Sequence, residues 1–179
     1  MTFVSSGAGG SGIDCARVGE EGMKKFLRAV MKIPVPWVFV LVFMAGVVVT
    51  KSTRTGVLTG HAALICWRAG IAIFAAGAVI AGWGLTIFHR EKTTTVPGQC
   101  SRELVTWGPY RFTRNPMYVG LTLAYVGEAA IFGQMWPLLL LPLVLAYLNW
   151  TVIPVEESRL CETFGAVYEE YRGRVRRWV

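Results

Sequence analysis

Two separated segments of the chain combine charged and aromatic residues in a pattern that could bind a small charged ligand. The first is "LVTWGPYRFTRNPMYVG", residues 104–120, where Arg111 and Arg114 stand directly before a hydrophobic run. Asn115 and Pro116 suit the first positions of a helix, whose free backbone N–H groups and positive dipole end stabilise an anion. The segment therefore predicts an anion site at a helix start. A simpler interpretation is a set of interfacial anchors, for which these aromatic residues are typical: Trp107, Tyr110 and Tyr118.

The second segment is "EESRLCETFGAVYEEYRGRVRRW", residues 156–178, which begins with two adjacent acids. Asn149 and Glu156 lie seven residues apart, so a regular helix places them on one stripe, and both would face the protein interior if that stripe does. The simpler interpretation, a solvated acid at the end of a span, applies to Glu157 more than to Glu156. A carboxylate at this position could fix the geometry of the arginines in the first segment or bind a cationic group of a ligand.

Neither a metal site nor a disulfide framework is indicated. The cysteines are scattered without CxxC spacing, and the two histidines flank one hydrophobic run, which leaves no cluster with ligand-like spacing. These residues are Cys15, Cys66, Cys100, Cys161, His61 and His89.

The composition indicates an integral membrane protein. Of the 179 residues, 54% are hydrophobic and only 16% are charged, which is too apolar for a soluble domain of this size. The net charge of +7 would suggest nucleic acid in a soluble protein, but here the basic residues separate apolar runs, so no nucleic-acid partner is expected. We predict an all-α fold with about four transmembrane helices, at residues 33–50, 62–88, 117–132 and 135–155.

The basic residues predict the orientation of these helices. Five of them precede the first run, five lie between the second and third runs, and five follow the fourth. With four spans, all three groups fall on the same side of the membrane. The positive-inside rule then places both termini and both segments above in the cytoplasm.

The remaining parts of the chain complete the predicted organisation. Residues 1–19 are rich in Gly and Ser and predict a flexible tail, and residues 20–179 are expected to form a single domain. The third and fourth runs are joined by Gly133 and Gln134, which predicts a tight antiparallel hairpin. In the second run Ala78 and Gly82, four residues apart, predict close approach of a neighbouring helix. Residues 156–179 predict an amphipathic helix at the cytoplasmic face, with these residues on its apolar side: Leu160, Phe164, Val167, Tyr168, Tyr171 and Val175.

The two segments together resemble the superfamily of isoprenylcysteine carboxyl methyltransferases and phospholipid methyltransferases. The shared pattern is G-P-Y-R, then R-[HN]-P-x-Y-x-G at a helix start, then E-E-x-x-L, F-G-x-x-Y-x-x-Y and a terminal V-x-R. The preceding "TTTVPG", residues 93–98, is similar to the bacterial branch, for which a bacterial inner membrane is expected. The resemblance implies methyl transfer from S-adenosylmethionine, held at the cytoplasmic membrane face, to a lipophilic or lipidated acceptor that enters from the bilayer.

The resemblance also implies which residues bind the cofactor. Arg111 or Arg114 would hold its carboxylate, Glu156 or Glu157 its amino or ribose groups, and a tyrosine would face the adenine or the sulfonium. Asn115 stands where the isoprenylcysteine enzymes carry histidine. No catalytic residue is identified beyond two candidates, Arg114 and Glu156. The implied cofactor-binding residues are Tyr110, Arg111, Arg114, Asn115, Tyr118, Gly120, Glu156, Glu157, Tyr168 and Tyr171; the motif also matches Arg177.

Several alternatives remain open from the sequence. The acceptor could be a carboxylate, for O-methylation, or a lipid amine, for N-methylation. Membrane sterol reductases carry a similar C-terminal signature and use NADPH, although their chains are generally longer. A small membrane protein could also retain this fold without catalysis. Beyond the acceptor, the expected partners are membrane lipids, and no obligate protein partner is evident.

Overall fold

The described part of the protein is built from helices and turns. The computed structural model describes residues 34–53, 60–90 and 104–179, and within these ranges it contains no strand. The predicted flexible tail at 1–19 lies outside the described residues. The elements are α1 (Val35–Thr53), α2 (Gly60–Arg90), a 3-10 turn (Gly108–Arg111), α3 (Pro116–Ile131), α4 (Met135–Tyr147), a π-helical turn (Leu148–Val152), α5 (Ile153–Phe164) and α6 (Ala166–Arg174).

The lengths of these helices confirm the prediction of an all-α membrane protein. Among the described residues, three helical stretches are long and apolar enough to cross a membrane: Val35–Thr53, Gly60–Ile87 and Met135–Phe164. The predicted third span is α3, which has 16 residues and is shorter than the roughly 20 that a straight crossing needs. The helical stretch that contains the predicted fourth span continues beyond residue 155 to Phe164 and carries its charged residues beyond the apolar run.

Helices α2 and α3 form the most extensive helix pair, and glycines allow their backbones to touch. Gly70 of α2 faces Gly127 of α3, and Gly77 faces Gly120, so the two helices are antiparallel. A Cβ on Gly77 would lie 2.5 Å from the backbone nitrogen of Ala124, and one on Gly120 would lie 2.5 Å from the backbone nitrogen of Ala81. In a membrane, where the hydrophobic effect does not bring helices together, such close packing supplies much of the attraction.

The glycine face differs from the one that the sequence predicted. Ala78 and Gly82 are exposed, and none of the residues that the structure describes lies within 4 Å of a Cβ built on Gly82. The buried glycines of α2 recur every seven residues, at positions 70, 77 and 84. The prediction of close approach through Ala78 and Gly82 is therefore wrong, since the approaching helix carries its own glycines and selects the seven-residue stripe.

Helix α1 packs on the hairpin through aromatic side chains. Phe39 and Phe43 meet the ring of Tyr125 edge-on, with ring centroids 5.9 and 5.2 Å apart. The Tyr125 hydroxyl donates a hydrogen bond of 2.9 Å to the carbonyl of Pro137 on α4. Tyr125 therefore ties three helices together, and its polar atom is satisfied inside the protein, as an apolar surrounding requires.

The predicted hairpin between α3 and α4 is confirmed. Gly133 adopts φ 60°, a conformation that favours glycine, and the amide of Gln134 donates to the carbonyl of Ala129 at 2.9 Å. This glycine turn ends α3, and α4 begins at Met135.

A π-helical turn separates α4 from α5 and changes the register of the helix. Pro154 has no N–H, and its ring would clash with the carbonyl four residues earlier in a regular helix. Widening the preceding turn, Leu148–Val152, avoids this clash, and Ile153 donates instead to Leu148, five residues back. Side chains before and after the turn are thus rotated relative to a continuous α-helix.

The C-terminal segment consists of two helices rather than the single amphipathic helix that was predicted. Gly165 adopts φ 52° and ψ −127°, which breaks the helix between α5 and α6. Tyr168 and Tyr171 are buried as expected, but Val167 is 62% exposed. The prediction of one apolar stripe is therefore wrong at Val167, because a three- and four-residue periodicity does not survive a break in the helix.

Candidate functional site

A buried ion cluster lies where the two sequence segments meet. Glu157, at the start of α5, accepts two hydrogen bonds from Arg177, from Nη2 at 2.6 Å and from Nε at 3.2 Å. Arg114 Nη1 lies 3.1 Å from Glu157 Oε1. Two arginines thus neutralise one carboxylate whose residue is 8% exposed, as a charge at that depth requires.

The acid at the centre of this cluster is not the one expected to face inward. Glu157 is buried, whereas Glu156 is exposed as a residue. The seven-residue stripe from Asn149 to Glu156 crosses the π-helical turn, and the extra residue in that turn rotates α5 by about one position. The interpretation of Glu157 as a solvated acid is therefore wrong. Glu156 is exposed as a residue, but its carboxylate accepts a hydrogen bond of 2.6 Å from buried Tyr118.

The π-helical turn also creates the partner of Arg177. The carbonyl of Asn149 would normally accept from Ile153, but Ile153 donates to Leu148 instead. The next possible donor is residue 154, which is proline. Arg177 Nη1 takes this place and lies 3.4 Å from the Asn149 carbonyl and 3.3 Å from its side-chain Oδ1. The Asn149 carbonyl therefore lacks a helical donor because Pro154 has no N–H, and Arg177 provides the hydrogen bond instead.

The last residues of the chain fold back over the segment before α3. The amide of Arg114 donates to the carbonyl of Arg176 at 2.9 Å. The Thr113 hydroxyl and Asn115 Nδ2 both donate to the carbonyl of Arg177, each at 3.0 Å. The C-terminal tail, Arg176–Trp178, is thereby fixed by backbone contacts as well as by the Arg177 side chain.

Asn115 occupies the N-cap position of α3 without capping the helix by its side chain. Its side-chain Nδ2 instead donates to the C-terminal tail. Its backbone carbonyl accepts hydrogen bonds from the backbone amides of Tyr118 and Val119, both at 3.1 Å. Two of the first N–H groups of α3 are therefore already bonded, which reduces what the helix start can offer an anion.

Arg114 retains unused hydrogen-bonding capacity. Its Nε is buried and makes no hydrogen bond with the described residues, and its Nη1 contact with Glu157 is an ion pair without hydrogen-bond alignment. A buried N–H of a charged group without an acceptor costs about 1–3 kcal/mol or more. This unsatisfied edge of the guanidinium is the place in the cluster where an anionic ligand group would be stabilised.

The tyrosines surround the cluster in different roles. Tyr118 is buried and donates a hydrogen bond of 2.6 Å to Glu156 Oε1. Tyr171 donates to the carbonyl of Tyr110 at 2.8 Å, and burial raises the pKa of Tyr171 to about 12. Burial is also the main cause that raises the pKa of Tyr110 and Tyr168; at Tyr168, Glu157 acts in the same direction and the nearby Arg114 guanidinium opposes it. At neutral pH these phenols are protonated, and Tyr118 and Tyr171 act as hydrogen-bond donors.

Two residues implied by the resemblance lie apart from these contacts. Arg111 is exposed on the 3-10 turn. Gly120 faces Ala81 and Gly77 on α2, where its lack of a side chain is explained by helix packing. A role in cofactor binding stays a prediction for both.

An apolar groove of about 600 Å³ adjoins the cluster. It runs along two turns of α4 and the facing side of α3, and Asn149 and Trp178 belong both to its lining and to the polar network. Trp178 Nε1 donates to Asn149 Oδ1 at 3.3 Å. The other lining residues are Val119, Thr122, Leu123, Pro142, Leu145, Ala146 and Trp150.

Three residues that connect these features were not predicted from the sequence to have a role. Arg177 matched the terminal motif but received no function, and Thr113 and Trp178 were not considered. The proline after "NWTVI" was the available signal, because a proline within an apolar helix marks the turn where backbone carbonyls become free.

Fold and site together define a polytopic membrane protein with a charged, partly unsatisfied site at the end of an apolar groove. Comparison with known families gives a match of residues 65–167 to phospholipid methyltransferase. This match covers more than half of the chain, and the protein belongs to this family.

A curated relative supports the same superfamily. The chain is 39% identical over 72 residues to a protein-S-isoprenylcysteine O-methyltransferase of Schizosaccharomyces pombe. The aligned region makes up 40% of this chain and 30% of the yeast protein, so the chain spans less than a third of that relative's length. No solved structure matches the chain significantly.

Proposed function

We propose that the protein is an S-adenosylmethionine-dependent methyltransferase that acts on a lipophilic acceptor at the membrane surface. The observation that carries the proposal is the buried, incompletely hydrogen-bonded Arg114 guanidinium at the polar end of an apolar groove. Family membership supports the reaction class. The distribution of basic residues supports placing the site and both termini on the cytoplasmic side of the membrane.

The residues present fit the charged groups of this cofactor. The free edge of Arg114 suits a carboxylate. Glu156 accepts one hydrogen bond from Tyr118, and a carboxylate has about four acceptor positions, so capacity remains for an ammonium or a ribose hydroxyl. Glu157 is occupied by Arg114 and Arg177, so we assign it to holding Arg114 rather than to direct contact with the cofactor.

The chemistry of such a site requires alignment more than proton transfer. When bound, S-adenosylmethionine supplies a methyl group that is already activated on sulfur. The protein must hold the acceptor in line and exclude water, which an apolar groove beside the charged site favours. A carboxylate acceptor needs no base, whereas an amine acceptor must first lose a proton.

Cofactor binding tests the proposal directly. The protein in detergent is titrated calorimetrically with S-adenosylmethionine and, in parallel, with NADPH. We expect binding of S-adenosylmethionine and at least tenfold weaker binding by Arg114→Ala, since hydrogen bonds to charged groups contribute about 1.5–3 kcal/mol. Arg174→Ala is the control, because Arg174 is exposed and pairs only with exposed Glu170 among the described residues. Binding of NADPH alone would indicate a reductase, and binding of neither would contradict an enzymatic role.

A further inference from the structure

Trp178 lies at the point where the apolar groove meets the ion cluster. Along α3 the groove extends from Val119 to Leu123, and along the opposite helix from Pro142 to Trp150. Because α3 and α4 are antiparallel, Val119 and Asn149 mark one end of the groove, and Trp178 bonds to Asn149 at that end. This is the end nearest to Tyr118 and the start of α3.

The position of Trp178 is fixed from two directions. Its indole N–H is held by Asn149 Oδ1, which also lies 3.3 Å from Arg177 Nη1. The residue before it, Arg177, is bound through its backbone carbonyl to Thr113 and Asn115. The position of the indole ring is therefore fixed, and the ring forms part of the wall of the groove.

The polar atoms at this end of the groove are already engaged. Arg177 directs Nε and Nη2 to Glu157 and Nη1 to Asn149. The Thr122 hydroxyl donates within its own helix to the carbonyl of Tyr118 at 2.8 Å. Among the described residues, Arg177 and Thr122 are thus engaged at this end of the groove, and the remaining capacity of Arg114 is assigned above to the cofactor carboxylate. A buried phosphate requires several charge-assisted hydrogen bonds, which this arrangement does not supply to an acceptor.

We propose that Trp178 determines acceptor specificity by closing the polar end of the groove, so that the groove takes a single-chain lipophile with a small polar end and disfavours a two-chain phospholipid. This inference rests on the proposed function and adds the acceptor class to it. The volume of about 600 Å³ is in the range of small-molecule sites and is continuous with the charged site through Asn149.

Binding of two probes tests this inference without relying on catalysis. Radiolabelled N-acetyl-S-farnesylcysteine is the single-chain probe and dioctanoylphosphatidylethanolamine is the two-chain probe, each titrated against the full-length protein in detergent. We expect the wild type to prefer the single-chain probe about tenfold or more, and Trp178→Ala to reduce this preference at least tenfold, since pocket walls discriminate on this scale.

Two further variants separate shape from general disruption. Trp178→Phe keeps an aromatic wall but removes the N–H, so most of the preference should remain. Trp150 also lines the groove but is 76% exposed, so Trp150→Ala should change the preference less than threefold. If Trp178→Ala does not fold, Trp178→Phe decides the question. The wild-type preference in Trp178→Phe supports an aromatic side chain at this position as the cause of specificity, and loss of the preference contradicts it.

The outcomes distinguish this inference from the proposed function. A wild type that shows the expected binding pattern but transfers no methyl group would contradict the function and leave Trp178 as the specificity residue. A wild type that transfers methyl groups but has the same preference as Trp178→Ala would contradict only the inference. Preference for the phospholipid, or binding of neither probe, would also overturn it.

Discussion

Replacing one buried glycine of α2 should separate the two most closely packed helices. In Gly77→Ala the new Cβ would lie 2.5 Å from the Ala124 nitrogen and 2.6 Å from the Gly120 carbonyl, both rigid backbone atoms. Ordinary contacts begin near 3.4 Å, so the helices must move apart locally by about 1 Å. A gap of that size forfeits roughly a quarter to a half of the dispersion attraction between facing atoms.

The expected loss of stability is about 1–3 kcal/mol, the usual cost of overpacking a well-packed interface. Alanine also favours a helix by about 0.8–1.0 kcal/mol over glycine, which opposes this loss. Gly82→Ala is the matched control, because it lies in the same helix, has no described residue within 4 Å of its Cβ and measures the helix preference alone.

The assay is the temperature at which half of the purified protein loses its monodisperse elution after heating. A difference of 1 kcal/mol corresponds to about 2–4 °C for a chain of this size. Gly77→Ala should therefore fall several degrees below Gly82→Ala. Equal midpoints for the two variants would refute the close packing of α2 on α3.

Three other changes test the site. Pro154→Ala restores an N–H and should let the π-helical turn return to α-helical geometry. We expect calorimetry to show S-adenosylmethionine binding weakened about tenfold or more, a change of about 1.4 kcal/mol, whereas Pro142→Ala, which lies before that turn, should bind like the wild type. Equal affinities of Pro154→Ala and the wild type would contradict the role of Pro154. Arg177→Lys replaces a bidentate fork by a single ammonium and should lower cofactor affinity several-fold, whereas exposed Arg174→Lys should leave it unchanged. Because burial raises the pKa of Tyr171 to about 12, the unfolded chain loses this proton at lower pH than the folded protein. The free energy of unfolding should thus fall as pH rises from about 10 to 12, and denaturant titrations should show a shallower fall in Tyr171→Phe.

The sequence predicted what depends on local chemistry. The hairpin followed from two residues, because a glycine turn between two apolar runs leaves few other connections. The membrane class followed from composition. The glycine stripe of α2 was missed because small residues four apart are only one of several spacings that permit close approach, and the partner helix decides between them.

The sequence predicted most of the residues of the candidate site but not the contacts between them. Arg114 and Glu157 were both named, yet the carboxylate at the centre was expected to be solvated. Helical periodicity cannot be extended through a π-helical turn, and Pro154 was the residue that required one. The contacts of Arg177 with Asn149 and Glu157 join positions 28 and 20 residues apart, respectively, which only the folded chain brings together.

The most direct test is transfer of a radiolabelled methyl group from S-adenosylmethionine to an organic-extractable product by the purified protein in lipid vesicles. We predict transfer by the wild type and by Arg174→Ala, with loss in Arg114→Ala. Absence of transfer by a folded wild type supplied with both prenylcysteine and phospholipid acceptors, or undiminished transfer by Arg114→Ala, would contradict the assignment of this site to methyl transfer.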